Sequence, residues 1–519
     1  MDVEHSTRQI ARMGRAMVFV SLVIGLAGCC PALAATIMPT RFDDPASGGD
    51  RCFEPPLDCS LRYATALASD GDVVSLAAGT YELSRTMGLR ILQDVALVGA
   101  GTRETVIKRV GGIGNIIDIR PSDEWMTHPI PGAPPGPEPL HAYVSRMTIT
   151  NGIGTGYGGG VGVSDADAIL SELAIVGNYA FQGPGSAGSG GFGAGITTVG
   201  PNAVTVIDSL IAGNVAQGAS GPDGGGIGGA AYLGGLHATF INSTLAGNVA
   251  AGPRGRGGAV YVPSEVGRTV NFVHSTIAGN TAMGGGGNLY VLDGEIGLQA
   301  SIVADGHGPV GRENCLGDGK VVSDGYSLES PSTQCGLGAT GDLQGVPDAV
   351  LGDLANNGGQ TDTVALLPGS PAIDAGPATC TGADRPLTTD QRGAPRPIGG
   401  RCDIGAYEAP ADVSSNDTGC RVIATPKQTT TAVISSVTCD KAVQVIETGA
   451  LVTGTQGGWP SLDSASDEQS ISIGHQRKRV TRGHRVRIRM PLGERARTML
   501  DNAKMQGRTV RFVVALRKR

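Results

Sequence analysis

The sequence predicts an all-β fold: a parallel β-helix (solenoid), right-handed by the family resemblance given below, with an N-terminal helical cap and a small C-terminal β-rich domain. Three observations lead there. A phrase recurs, as DSLIAGNVA from Asp208, NSTLAGNVA from Asn242 and HSTIAGNTA from His274, with a looser copy, SELAIVGNYA, from Ser171. The chain has 83 glycines in 519 residues but only 4% aromatic and 17% charged residues, which suits a narrow interior better than a wide globular core. Finally, the repeats carry neither helix-length amphipathic spacing nor an LxxLxL frame, which excludes helical and leucine-rich repeats.

Aligned on their Gly-Asn, the copies put Asn178, Asn214, Asn248 and Asn280 in register at spacings of 36, 34 and 32 residues, one coil per copy. Each coil adds a glycine-led strand: GGGVGV at Gly158, GAGITT at Gly193, GGGIGG at Gly224, GGAVYV at Gly257 and GGGNLYV at Gly285. Strands of successive coils stack about 4.8 Å apart, so equivalent residues lie above one another. The third position before each Asn then predicts an interior aliphatic ladder of Ile175, Ile211, Leu245, Ile277 and, ahead of Asp305, Ile302. Its smaller companions are Leu173, Ser209, Ser243, Ser275 and Ala300. The asparagines are expected to take the left-handed bend and to hydrogen-bond along the stack. None of Asn178, Asn214 and Asn248 begins an N-x-S/T sequon, so they are read as scaffold and not as glycosylation sites. His274 and Thr276 are expected to alternate outward.

A β-helix has open ends that need covering. The apolar positions Leu61, Ala64, Leu67 and Ala68 predict a short amphipathic helix over the first coil, followed by a strand from Val73 to Leu76. Residues 94–108 read as two strands about a GAGT turn, and the proline-rich run 121–141 as a loop thrown out from an early coil.

Residues 1–34 read as a signal peptide: Arg8, Arg12 and Arg15 precede an apolar run from Ala16 to Leu26 too short to span a bilayer. Two cleavage sites are open. Ala32-Leu33-Ala34 would release Ala35, whereas Leu26-Ala27-Gly28-Cys29 resembles a lipobox and makes Cys29 a candidate for lipidation. The expected location is therefore outside the cytoplasm, secreted or at the cell surface, with the periplasm or an outer-membrane lipoprotein as alternatives.

Cysteine usage fits export. Beyond Cys29 and Cys30, eight cysteines fall into neighbouring pairs: Cys52 with Cys59, Cys315 with Cys335, Cys380 with Cys402, and Cys420 with Cys439. Structural disulfides are expected, paired by proximity alone, since eight cysteines allow about 105 connectivities. There is no C-x-x-C and the eight histidines are scattered, so neither a zinc site nor any other cofactor site is read.

After residue 410 the character changes. Residues 411–519 contain 18 Lys and Arg against nine acids, so the rest of the chain carries about −16 of a net charge of −7. HRVRIRM and TVRFVVALRKR read as strands, and Gly493 to Lys504 has helical spacing. This basic module resembles the small β-rich modules at the ends of bacterial exported proteins. The domains are thus 1–34, a β-helix domain over 35–410, and a basic β-rich domain over 411–519. Nucleic acid is a poor partner for an exported chain, and anionic envelope polymers are the better one.

Two further stretches carry a family resemblance. CSLRYATALASDGDVVSLAAGTYELS resembles the CSLREA-type segment of bacterial exported β-helix proteins, with Tyr63 where Glu is usual. SDGYSL, LGDLANNGGQTDTVALLPGSPAIDAG and TDQRGAPRPIGGRCDIGAYE, between Ser323 and Glu408, resemble the choice-of-anchor Q domain, with Val364 where that pattern usually has His. The resemblance implies a right-handed parallel β-helix in surface or secreted proteins with varied C-terminal anchoring segments. It brings no catalytic residues.

Pectate lyases and polygalacturonases also use such coils, so chemistry must be weighed. A hydrolase needs converging carboxylates. Asp165, Asp167, Glu172, Asp208, Asp223 and Glu265 are the candidates, and their places relative to the Asn ladder are read as unmatched between coils. Arg254 and Arg256 lack obvious acidic partners for a lyase base. His307 sits in a Gly-His-Gly like that of polygalacturonases, but without their other motifs it reads as an exposed turn residue. The leading expectation is a non-catalytic surface protein binding polysaccharide or another anionic envelope polymer, with no nucleic acid and membrane attachment only through Cys29. A polysaccharide lyase or hydrolase, and a structural spacer, are the alternatives; the oligomeric state is open.

Overall fold

A computed structural model describes residues 34–410, apart from 46–50, 54, 56, 122–139, 183–189, 219–223, 265–266 and 383–384, together with the strands between 420 and 518. The signal-peptide stretch with Cys29, nearly all of the proline-rich run, and Gly493 to Lys504 lie outside the described residues.

The fold is the expected right-handed parallel β-helix. Each coil is a circuit of up to four short strands. In one coil these run through Ile196–Ile207, Leu210–Ala212 and Val215–Gln217, the first bent in the middle by Gly200 (φ 86°). Every one pairs in parallel with its equivalent one coil on: Ile211 with Leu245, Val206 with Phe240, Ala216 with Ala250. Alternation puts one set of side chains inside, where Ile175, Ile211, Leu245 and Ile277 are fully buried, and stacks Phe240 on Phe272 at 4.8 Å.

Two polar ladders fix the corners. Asn178, Asn214 and Asn248 each donate their side-chain amide to the next ladder Asn at 2.9–3.0 Å. The ladder is longer than the repeat suggested: Asn280 donates to Asn288, Asn288 to Asn314, and Asn314 ends it on the Glu329 carboxylate. At the preceding corner Ser209, Ser243, Ser275, Ser301 and Ser327 each accept a backbone N–H from the coil before. The sequence shows Ser209, Ser243 and Ser275 only as small residues.

Two expectations are corrected. The ladder asparagines do not take the left-handed conformation; the glycine before each does, at φ 62° for Gly177, 61° for Gly213, 63° for Gly247 and 66° for Gly279. Only a residue without Cβ turns there freely, while the Asn must stay in a geometry that aims its amide along the stack. The second left-handed position is the head of the phrase, Glu172, Asp208, Asn242, His274 and Ala300. Lastly, the coil after His274 is shorter, so its register is offset by one from the Asp305 alignment: Ile277 stacks on Val303, not Ile302, and Ser275 on Ser301, not Ala300.

The predicted helix spans Leu61–Leu67, capped by the Ser60 hydroxyl, which accepts from Tyr63 N. It buries Leu61 and Ala64 and packs against the strand Leu89–Ile91. Cys52–Cys59, Cys315–Cys335 and Cys380–Cys402 are bonded, and Cys420 lies opposite Cys439 in an antiparallel pair.

The stretch read as one domain over 35–410 has two parts. The last parallel strand is Leu328–Ser330, and beyond it the chain returns across the outside of the coils. An antiparallel hairpin, Leu351–Ala355 with Thr363–Leu366, includes the buried Val364. Near its turn Asp362 meets Arg103 of an early coil at 2.9 Å. The basic C-terminal part contains two three-stranded antiparallel sheets, among them Arg485–Pro491 and Thr509–Lys518.

Candidate functional site

The returning segment covers the residues expected to point at solvent. His274 and Thr276 do leave the coil interior, yet His274 is 0% and Thr276 1% exposed, because residues 389–409 lie over them. Asn242 donates to Thr389 O and accepts from Arg396, Thr244 donates to Gln391, and Thr276 accepts from Ala406 N. Burial, then repulsion by Arg396, pushes His274 well below the usual imidazole range. Burial raises Asp403 to about 7, with the Glu408 charge adding to it. This is a buried clasp between segment and coil.

The acidic candidates divide. Asp223 and Glu265 lie outside the described residues. Asp165 and Asp167 sit at the start of the coil's long strand, where Asp167 accepts from Ala203 N and faces His141 at 3.7 Å. Glu172 and Asp208, contrary to the sequence reading, do share a place: both stand six residues before a ladder Asn and stack in adjacent coils. Desolvation, with the Glu172 charge adding, raises Asp208 to about 7. The His307 backbone extends the ladder beside Thr281, its side chain exposed. Among the described residues no group of three or more His, Cys, Asp or Glu is placed to hold a metal, and no helix is long and apolar enough to cross a membrane.

What sequence reading missed is an aromatic flank. Tyr157, Phe192 and Ile227 stack at one corner of successive coils. Beside them Tyr232, Tyr261 and Tyr290 occupy one outward register on the glycine-led strands. The rings run on as a rail: Tyr157 to Phe192 4.9 Å, Phe192 to Tyr232 5.3 Å, Tyr232 to Tyr261 5.9 Å and Tyr261 to Tyr290 5.3 Å, with Arg256 5.2 Å from the last centroid. Tyr179 and Phe181 on the adjoining strand stack at 5.8 Å.

Seven of the chain's eighteen Tyr and Phe therefore lie on one flank, although the interior is filled mainly by aliphatics. Tyr157 is 55% and Tyr179 36% exposed, while Tyr261 and Tyr290 are buried along the rail. Most rings of the rail stack on one another, so it is the exposed end, at Tyr157 and Tyr179, that offers ring surface to the C–H faces of sugars and hydroxyls to hydrogen-bond them. The signal was present in AAYL, AVYV and NLYV, which carry Tyr at one offset after the glycines.

No protein-family model matches the chain, and no curated protein matches it. Among solved structures it is similar to pectate lyase Pel9A, at 14% identity and a TM-score of 0.39, covering 72% of this chain and 96% of that one. It is also similar to a pectin methylesterase variant in complex with a hexasaccharide, at 13% identity and a TM-score of 0.28, covering 70% and 95%. Similarity at this level defines no site in the present chain.

Proposed function

We propose that the protein is an exported or cell-surface, non-catalytic β-helix protein whose aromatic flank binds polysaccharide. The observation that carries this is the concentration of Tyr and Phe on one flank of an otherwise aromatic-poor coil. The signal-peptide pattern and the resemblance to CSLREA-type and choice-of-anchor Q proteins support export and attachment. The basic C-terminal strands would add retention on anionic envelope polymers. Affinity electrophoresis of the mature chain through gels containing single polysaccharides tests the proposal. Retardation by at least one polymer, lost in Tyr157→Ala/Tyr232→Ala, is expected; free migration in every gel contradicts it.

The stacked Glu172 and Asp208 favour a second reading, a hydrolase with Asp208 as proton donor. Binding remains the better reading, because one Asp208 carboxyl oxygen is shielded from solvent without a hydrogen-bond partner. Release of reducing ends from a polysaccharide, abolished by Asp208→Asn, would reverse that order.

A further inference from the structure

Beside the aromatic flank, at Tyr179, lies a cavity of about 370 Å³ lined in part by Arg109, Val110, Gly112, Gly152 and Ile153. This falls within the ordinary range of ligand pockets, roughly 300–1,000 Å³. Gly152 in its wall has no room for a side chain: a Cβ there would lie 1.7 Å from the Gly159 carbonyl oxygen.

Arg109 is the unusual group in its wall. It is 4% exposed, and its guanidinium donates only to carbonyls: Arg85 O, Gly111 O at 3.2 Å and Asn115 O at 2.7 Å. Its Nε has no hydrogen-bond partner, and among the described residues no carboxylate is paired with it. The acid whose field reaches it, Asp44, is already held by Arg62 at 2.7 and 2.9 Å, and Arg62 adds its own repulsion. A buried cation solvated by carbonyl dipoles alone lacks the counter-charge that buried ions normally have. Tyr179, 36% exposed on the same cavity, supplies a ring face next to that field.

We infer that this cavity receives the carboxylate of an acidic sugar, so that the polymer held by the flank carries uronic acids. The inference rests on the binding function proposed above and names its ligand class. A sugar ring lies against Tyr179 while its carboxylate enters the field of Arg109. The methyl ester of the same sugar keeps the ring contact and loses the charge, which makes the pair a clean comparison.

Titration calorimetry of the mature chain with a galacturonate oligomer and with its methyl-esterified form tests this. The acid form is expected to bind about 10-fold more tightly. Arg109→Met should erase the preference. Because Arg109 also braces residues 111–115, Val110→Glu is the second variant: Val110 is 51% exposed and lines the cavity, and a carboxylate there should erase the preference without touching the brace. Tyr179→Ala should weaken both forms alike. Equal binding of acid and ester, a preference surviving in both charge variants, or tighter binding of inorganic phosphate than of the uronate overturns the inference. If only neutral polymers bind, the inference fails and the proposed function stands; if no polymer binds, both fail.

Discussion

The Arg396 guanidinium lies 3.0 Å from the Glu408 carboxylate, with both side chains 0% exposed. The pair joins residues of the returning segment, and Arg396 reaches on to Asn242 of the coil at 3.2 Å and Gly405 O at 2.9 Å. Removing one member of such a pair strands the other charge in a dry interior. Arg396→Met should cost about 3–5 kcal/mol and loosen the segment. Urea denaturation measures the first effect, and faster proteolytic cleavage within residues 389–409 the second.

Asn248 sits mid-ladder, donating to Asn280 Oδ1 and Ile211 O while its own Oδ1 accepts from the Asn214 amide and backbone N–H. Asn248→Ala leaves several buried groups unpaired and should destabilise by about 2–4 kcal/mol. Asn248→Asp, which cannot donate and adds charge, should be at least as harmful. Thermal unfolding of the two variants beside wild type decides it.

Asp208 is raised to about 7 by burial and by Glu172, against 3.8 when unfolded. The folded state therefore prefers the protonated acid, and the stability this gives is complete below about pH 4 and lost as pH rises through 7. Asp208→Asn is isosteric, neutral and tolerant of the left-handed conformation at φ 49°. It should leave stability unchanged at pH 4 and raise it above pH 7, by on the order of 1–2 kcal/mol. Denaturation midpoints at pH 4 and 8 give the answer.

His274 works in the opposite direction. Burial and Arg396 hold it well below the ordinary 6.5, so the stability it allows is present above pH 6.5 and lost as pH falls below it. Its φ of 46° is matched by Asn242 one coil earlier, so His274→Asn should fold and flatten the acid side of the stability profile. An unchanged acid limb in the variant would assign that loss to other groups.

The coil was legible because its scaffold repeats. Stacking needs an aliphatic rung, a bend and an amide at fixed places, and Ile211, Gly213 and Asn214 recur one coil later as Leu245, Gly247 and Asn248. Where coil length changed, the alignment slipped: Val303 replaced Ile302 because the interval after Ile277 is 26 residues, not the 32 before it. The burial of His274 was hidden because its cover, Arg396 to Glu408, lies more than 120 residues away in sequence. Tyr232, Tyr261 and Tyr290 stood in plain view, but glycine dominates their strands, and the register the tyrosines share emerges only when the coils are stacked. Arg109 had no sequence signal at all, since an arginine becomes uncompensated only through the groups that fold around it.

The most direct test of the central claim is a hydrogen–deuterium exchange footprint of the mature chain with a saturating polysaccharide. Protection is expected at residues 152–160, 176–182 and 226–233, which carry the exposed end of the aromatic flank and the adjoining cavity. Protection confined to the basic strands after 420, or to residues around His141 and His237 outside the flank, would contradict the account.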